Sequence, residues 1–204
     1  EGTKELACGE SVELVSAGNT INPETIPIYP GLSVSSFVVG DLLTVDFAGA
    51  MLEVVRSDLR CEAIVIRSGT VGSNKAVSLI NRTFDLPAFT SSDREAIDLG
   101  ISIGIRHIAL SFANKSSDVE KLREAVGTDV NIIAKIESRG GLNQLDPILS
   151  VADAILIDRG DLSREVRLET IPALQKEIIR RANNVAIPVY VATNLLESMV
   201  MSPK

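Results

Sequence analysis

A single histidine, His107, and two cysteines, Cys8 and Cys61, occur among the 204 residues. Three such side chains fall short of the four that a structural Cys/His zinc site takes. Histidine-based nucleophilic triads are disfavoured on the same count. His107 sits in the apolar run His107-Ile108-Ala109-Leu110 and reads as a structural core or edge residue. Basic charge is scarce too: 20 Lys and Arg face 27 Asp and Glu, a net charge of −7. A nucleic-acid binder needs a basic stripe to neutralise phosphates, so that class is set aside. No apolar run approaches the roughly 20 residues that span a bilayer. The start, Glu1-Gly2-Thr3-Lys4, lacks the charged-then-apolar form of a signal peptide. The expectation is a reduced, cytoplasmic protein with no membrane partner. Neither Gly-x-Gly-x-x-Gly nor Gly-x-x-x-x-Gly-Lys-Ser/Thr follows any predicted strand, so nucleotide folds built on those loops lose ground.

Apolar residues make up 45% and charged residues 23%, enough for a packed core. Two stretches differ in pattern. Residues 1–85 hold short β-rich runs at 11–15, 35–39, 43–47, 52–55 and 63–66, separated by turn residues such as Asn22-Pro23, Pro30-Gly31 and Gly40-Asp41. That spacing predicts a small antiparallel barrel or sandwich. With 11 acidic and 6 basic residues, this stretch carries most of the net charge.

Residues 86–204 alternate apolar strands with amphipathic helices. Ser92-x-x-Glu95 and Ser117-x-x-Glu120 read as capping boxes, and Gly127 as the stop of the second helix. Strands are predicted over 106–112, 131–137, 154–158 and 189–193, with further helices over 142–149 and 171–183. The rhythm implies right-handed βαβ units and a parallel sheet. Ile132-Ile133-Ala134 and Ile155-Leu156-Ile157 are apolar on both faces, as a helix-covered sheet requires. Four strands leave two architectures, an open doubly wound sheet or part of a (β/α)8 barrel. Both place ligands at the C-terminal ends of strands.

The charged residues gather at those ends. Lys135 and Glu137 are two apart and project from one face of a strand. Asp161 follows the next strand, and neighbouring strands lie roughly 4.8 Å apart, so Glu137 and Asp161 are within reach of one divalent cation. Mg²⁺ suits such a pair of carboxylates, and Lys135 beside them would stabilise negative charge on a phosphoryl group or an enolate. The competing reading is a solvated Lys–Glu pair bridged to an arginine. Gly160 either presents backbone N–H groups to a carboxylate or makes a plain strand-to-helix turn. Thr193 either hydrogen-bonds substrate or caps the next helix. Arg159-Gly160-Asp161 is the exit of an apolar strand, which argues against an integrin-binding tripeptide.

Several blocks in order resemble pyruvate kinase. They are Asp85-Leu86-Pro87-Ala88 with Ser92-Asp93-Arg94-Glu95, Leu110-Ser111-Phe112-x-x-Lys115, Ile133-Ala134-Lys135-Ile136-Glu137, Arg159-Gly160-Asp161-Leu162, and residues 188–199 around Ala192-Thr193-Asn194. Gly72-Ser73-Asn74-Lys75 matches more loosely. The resemblance implies an α/β fold: a partial TIM (β/α)8 barrel over 86–204, preceded by a small all-β lid domain over 1–85. It implies phosphoryl transfer from phosphoenolpyruvate to ADP, giving pyruvate and ATP, with Mg²⁺ (or Mn²⁺) and K⁺. Lys135 would be the essential lysine and Thr193 would lie near the protonated carbon. Glu137 and Asp161 would ligate the divalent ion. Gly160, Asp161 and Thr193 would seat the substrate carboxylate, with Ser111, Phe112 and Arg159 at the same mouth and Lys75 reaching nucleotide phosphate from the lid. A homotetramer is implied for the full-length protein.

Departures from the family pattern are Asp158 where alanine is usual, Asn194 for glutamine, and Phe47 for the second acid of a paired aspartate. By the resemblance, three earlier barrel strands and the last one are expected to lie outside this sequence, which ends at Pro203-Lys204. The expectation is a piece of a longer protein, inactive or nearly so by itself. Two other readings stand beside the phosphotransferase: a metal-dependent aldolase or lyase of the phosphoenolpyruvate/pyruvate barrel group, and a non-catalytic binder of a phosphometabolite.

Overall fold

The computed structural model describes residues 3–16, 25–30, 32–45, 49–73, 75–80 and 86–192. The chain divides into two compact units, Glu1–Leu86 and Pro87–Lys204.

The first unit is built on β1 (Lys4–Leu6), β2 (Ser11–Ser16), β3 (Thr25–Ile28), α1 (Leu32–Ser35), β4 (Leu42–Val45), β5 (Met51–Ser57), β6 (Cys61–Arg67), β7 (Gly69–Val71) and β8 (Val77–Leu79). Six strands pair in the order β3-β2-β6-β5-β4-β8, and β1 pairs with β7 separately. Every pair is antiparallel except β2 with β3. Alternation sets the inner face: Leu52 and Val54 of β5 lie with Cys61, Ala63 and Val65 of β6 in one core, joined by Leu14 and Leu43. The strand expected over 35–39 does not form. Phe37 enters the core, while Val38 and Val39 are 51% and 64% exposed. Buried Asp41 accepts the Val38 N–H at 2.9 Å, and Gly40 takes φ +90°, so a side-chain-closed turn replaces extended backbone. Phe47 lies outside the described residues.

Burial pushes the Cys61 thiol up to about 11, with the Asp41 charge adding to the effect, whereas Cys8 is exposed. The thiolate is the reactive form. A maleimide at pH 8 is therefore expected to add once to the native chain, at Cys8, and twice after unfolding, as read by intact mass.

The second unit continues with α2 (Ser91–Ser102), β9 (His107–Leu110), α3 (Ser116–Val126), β10 (Asn131–Ile136), α4 (Arg139–Asn143), α5 (Leu145–Leu149), β11 (Ala154–Asp158), α6 (Arg159–Leu162), α7 (Ile171–Asn184) and β12 (Val189–Ala192). Its four strands form a parallel sheet in the order β12-β11-β10-β9. Ile132, Ala134 and Ile136 of β10 are fully buried with Ile155 and Ile157 of β11, against Leu122 of α3, Ile148 of α5 and Ile178 of α7. His107 is exposed at the start of β9, an edge strand among the described residues.

Helix starts fall earlier than the capping pattern predicts. Thr90 caps α2, its Oγ1 accepting the Asp93 N–H at 3.2 Å while the Asp93 carboxylate accepts the Thr90 N–H at 2.7 Å. Lys115 precedes α3, and Asp118 accepts its N–H at 3.1 Å. Ser92 and Ser117 thus lie within first turns, where they cannot adopt the extended backbone of a cap. Gly127 ends α3 at φ +75°, as expected. The helix expected over 142–149 is instead two short helices, α4 and α5. Restarting at Leu145 puts Pro147 in a first turn, where its missing N–H leaves no bond unmade.

Candidate active site

Along β10 the side chains of Ile132, Ala134 and Ile136 turn into the core, so Lys135 takes the opposite face and Glu137, just past the strand, shares it. The register pairs Lys135 with Leu156 of β11, which carries Asp158 to a neighbouring position at the C-terminal end of the sheet. Asp161 follows in α6. Oxygens of Glu137, Asp158 and Asp161 all lie within 4.8 Å of one another.

Glu137 is the centre of this cluster. Its side chain is fully buried and ion-pairs with the Lys135 ammonium. Its Oε2 also accepts the Phe112 N–H at 2.6 Å. Phe112 directs that N–H from a left-handed backbone with φ +50°, a conformation costly for a bulky side chain. Burial pushes the Glu137 carboxyl above its ordinary value, against the opposing pull of Lys135 and the Phe112 N–H, and the Asp161 charge adds to the rise. Burial also acts to lower the Lys135 ammonium, but contact with Glu137 and the charge of Asp158 outweigh it and hold it above the ordinary value. The lysine is therefore a fixed cation, 21% exposed, with Ser111 Oγ at 3.4 Å.

Asp158 points inward. Its Oδ1 accepts the Gly160 and Asp161 N–H groups at 3.1 and 3.4 Å, and its Oδ2 lies 3.6 Å from Lys135 Nζ. The backbone donors that the sequence resemblance assigns to a substrate carboxylate thus already hold a carboxylate of the chain itself. Arg164 Nη2 lies 3.5 Å from Asp161.

Among the sequence-predicted residues, Lys135, Glu137, Asp161 and Ser111 come together with Phe112 and Gly160 at one rim, and Arg159 opens α6 beside them. Lys75 is exposed in the first unit. Thr193 and Asn194 lie outside the described residues. The supporting shell was missed by sequence reasoning. Ser138 Oγ donates to Asn114 Oδ1 and accepts the Gly141 N–H at 3.0 Å. Glu165 accepts the Arg139 N–H at 2.7 Å. A Cβ at Gly140 would meet Asn114 Oδ1 at 2.9 Å, so glycine is what lets the start of α4 approach the loop after β9. Gly140-Gly141 after Ser138 was the available signal.

The sequence pattern described as "Pyruvate kinase, barrel domain" matches residues 9–204. A pyruvate kinase of Bacillus licheniformis is 36% identical over all of this chain, which spans 36% of that protein. The Sporosarcina psychrophila pyruvate kinase is 31% identical with the same two coverages. Pyruvate kinase 2 of Saccharomyces cerevisiae is 35% identical over 93% of this chain and 38% of its own length. The chain therefore spans little more than a third of these curated relatives.

Proposed function

Since the chain belongs to the pyruvate kinase family, we propose that it contributes the phosphoryl-handling rim of an enzyme that moves the phosphoryl group of phosphoenolpyruvate to ADP. The observation that carries this reading is the Lys135 ammonium held beside three convergent carboxylates at parallel strand ends. In this reading the four-stranded sheet is part of a (β/α)8 barrel and the first unit is its lid. Both edge strands of the sheet, β9 and β12, have a single neighbour among the described residues, so turnover belongs to a polypeptide in which further strands close it.

Hard oxygen donors gathered this closely fit Mg²⁺ or Mn²⁺, with Glu137 and Asp161 as ligands. When bound, such a cation supplies electrostatic stabilisation to substrate oxygens. Lys135 supplies a preorganised positive charge to the transferring group, its position fixed by Glu137, Asp158 and Ser111. The buried Glu137, anchored by the Phe112 N–H, keeps the end of β10 and the loop after β9 in one geometry. Family likeness assigns the substrate carboxylate to the turn at Gly160 and Asp161, whose N–H groups are held by Asp158 Oδ1 in this chain, and to Thr193, which it also assigns to the protonated carbon. Family likeness assigns Ser111, Phe112 and Arg159 to the mouth, and gives Lys75 of the first unit a nucleotide-phosphate role. K⁺ and a cytoplasmic homotetramer complete the reading by family likeness. No helix among the described residues is long and apolar enough to cross a membrane.

The test is pyruvate formation from phosphoenolpyruvate and ADP, with Mg²⁺ and K⁺, by the full polypeptide that carries these residues. Turnover dependent on both substrates and on the divalent ion is expected. A folded polypeptide that makes no pyruvate refutes the reading.

A further inference from the structure

The Asp158 carboxylate is held at both oxygens. Oδ1 is tied to the Gly160 and Asp161 N–H groups, and Oδ2 lies 3.6 Å from the Lys135 ammonium. A carboxylate anchored by two backbone donors does not swing away from the lysine without breaking those bonds. Its side chain is 17% exposed, so solvent screens its charge only in part. Of the two carboxylates at the ammonium, Glu137 is sealed in the interior with no side-chain exposure. Asp158, at 17% side-chain exposure, is the one of the two that solvent reaches.

We infer that Asp158 sets substrate affinity by competing with the substrate anion for Lys135. The inference rests on the function proposed above. The charges at the rim show why the effect is large. Lys135 meets two carboxylates, Glu137 and Asp158, while Asp161 lies beside Arg164. Removing Asp158 leaves the ammonium with Glu137 as its remaining carboxylate among the described residues. An incoming anion then competes with one carboxylate fewer at the lysine and approaches one like charge fewer. Asp158 is thus a positioning and affinity-setting residue, acting through Lys135.

The experiment measures calorimetric binding of oxalate to the full polypeptide at Mg²⁺ saturating for each variant. Oxalate presents the adjoining planar oxygens of an enolate beside a carboxylate. The variants are Asp158→Asn, which keeps an oxygen for the Gly160 and Asp161 N–H groups, Asp158→Ala, and Lys135→Met as the control. Thermal melting is recorded for each. Both Asp158 variants are expected to bind oxalate about 10-fold more tightly or better, the scale of removing one partly screened like charge beside the site. Asp158→Asn should melt as the parent does, and Lys135→Met should bind poorly. Equal or weaker binding in both Asp158 variants overturns the inference while the proposed function stands, provided the parent binds and Lys135→Met does not. Tightening in Asp158→Ala alone also overturns it, because the effect would then come from freed backbone donors and not from charge. Failure of every variant and the parent to bind oxalate overturns the inference and the proposed function together.

Discussion

Lys135→Met in the full polypeptide is expected to cut pyruvate formation by about 10²–10³-fold, the cost of removing one preorganised transition-state donor. Methionine keeps the length and apolar stem of the side chain but deletes the charge that Glu137 and Asp158 hold in place. Mg²⁺ affinity, read by calorimetry, should survive, because Glu137 and Asp161 remain. Near-parental turnover would remove Lys135 from the mechanism. A second readout checks the electrostatics. Without the ammonium, buried Glu137 loses the partner that opposed the effect of burial, so its carboxyl rises further. An acid whose folded-state value lies above its unfolded value adds stability below the unfolded value and loses it as pH rises through the folded one. The melting temperature of the variant, relative to the parent, should therefore be best near pH 4 and fall toward neutrality.

Glu137→Gln is expected to cost both metal and stability. The amide can still accept the Phe112 N–H through its oxygen, but its NH₂ then faces the Lys135 ammonium, donor against donor. Breaking a buried ion pair by removing one partner costs about 3–5 kcal/mol. The lower end applies here, because Lys135 keeps 21% exposure and has Asp158 at 3.6 Å. Calorimetry should show Mg²⁺ affinity reduced by at least roughly 100-fold, the scale of losing one charged hard ligand. Parental affinity in a folded variant would exclude Glu137 as a ligand.

These two residues were legible in the sequence because strand alternation alone puts Lys135 and Glu137 on one face. The β11 segment, 154–158, was legible to the residue, its apolar run being bracketed by Asp153 and Arg159-Gly160. Local signals failed where two were equally good. Thr90-x-x-Asp93 and Ser92-x-x-Glu95 are both capping patterns, and the choice lies in where the chain leaves extended backbone. Val38 and Val39 look like strand by side-chain type, but the Asp41 carboxylate closes a turn on them. The inward aim of Asp158 was left open by sequence, since it depends on Lys135, 23 positions earlier and one strand over. The bond between Ser138 and Asn114 was invisible for the same reason, with 24 positions separating the partners.

Those separations give the rim an order in time. The Phe112 N–H waits for Glu137, 25 residues later; Asn114 waits for Ser138, 24 later; the Arg139 N–H waits for Glu165, 26 later. The turns after β9 and β10 each take a bond from the next repeat, whereas the turn after β11 is held by its own Asp158. On a ribosome adding about 5–20 residues per second, each bond from a next repeat lags its turn by roughly 1–5 s. The rim is thus completed from the N-terminal side, one repeat behind the growing chain.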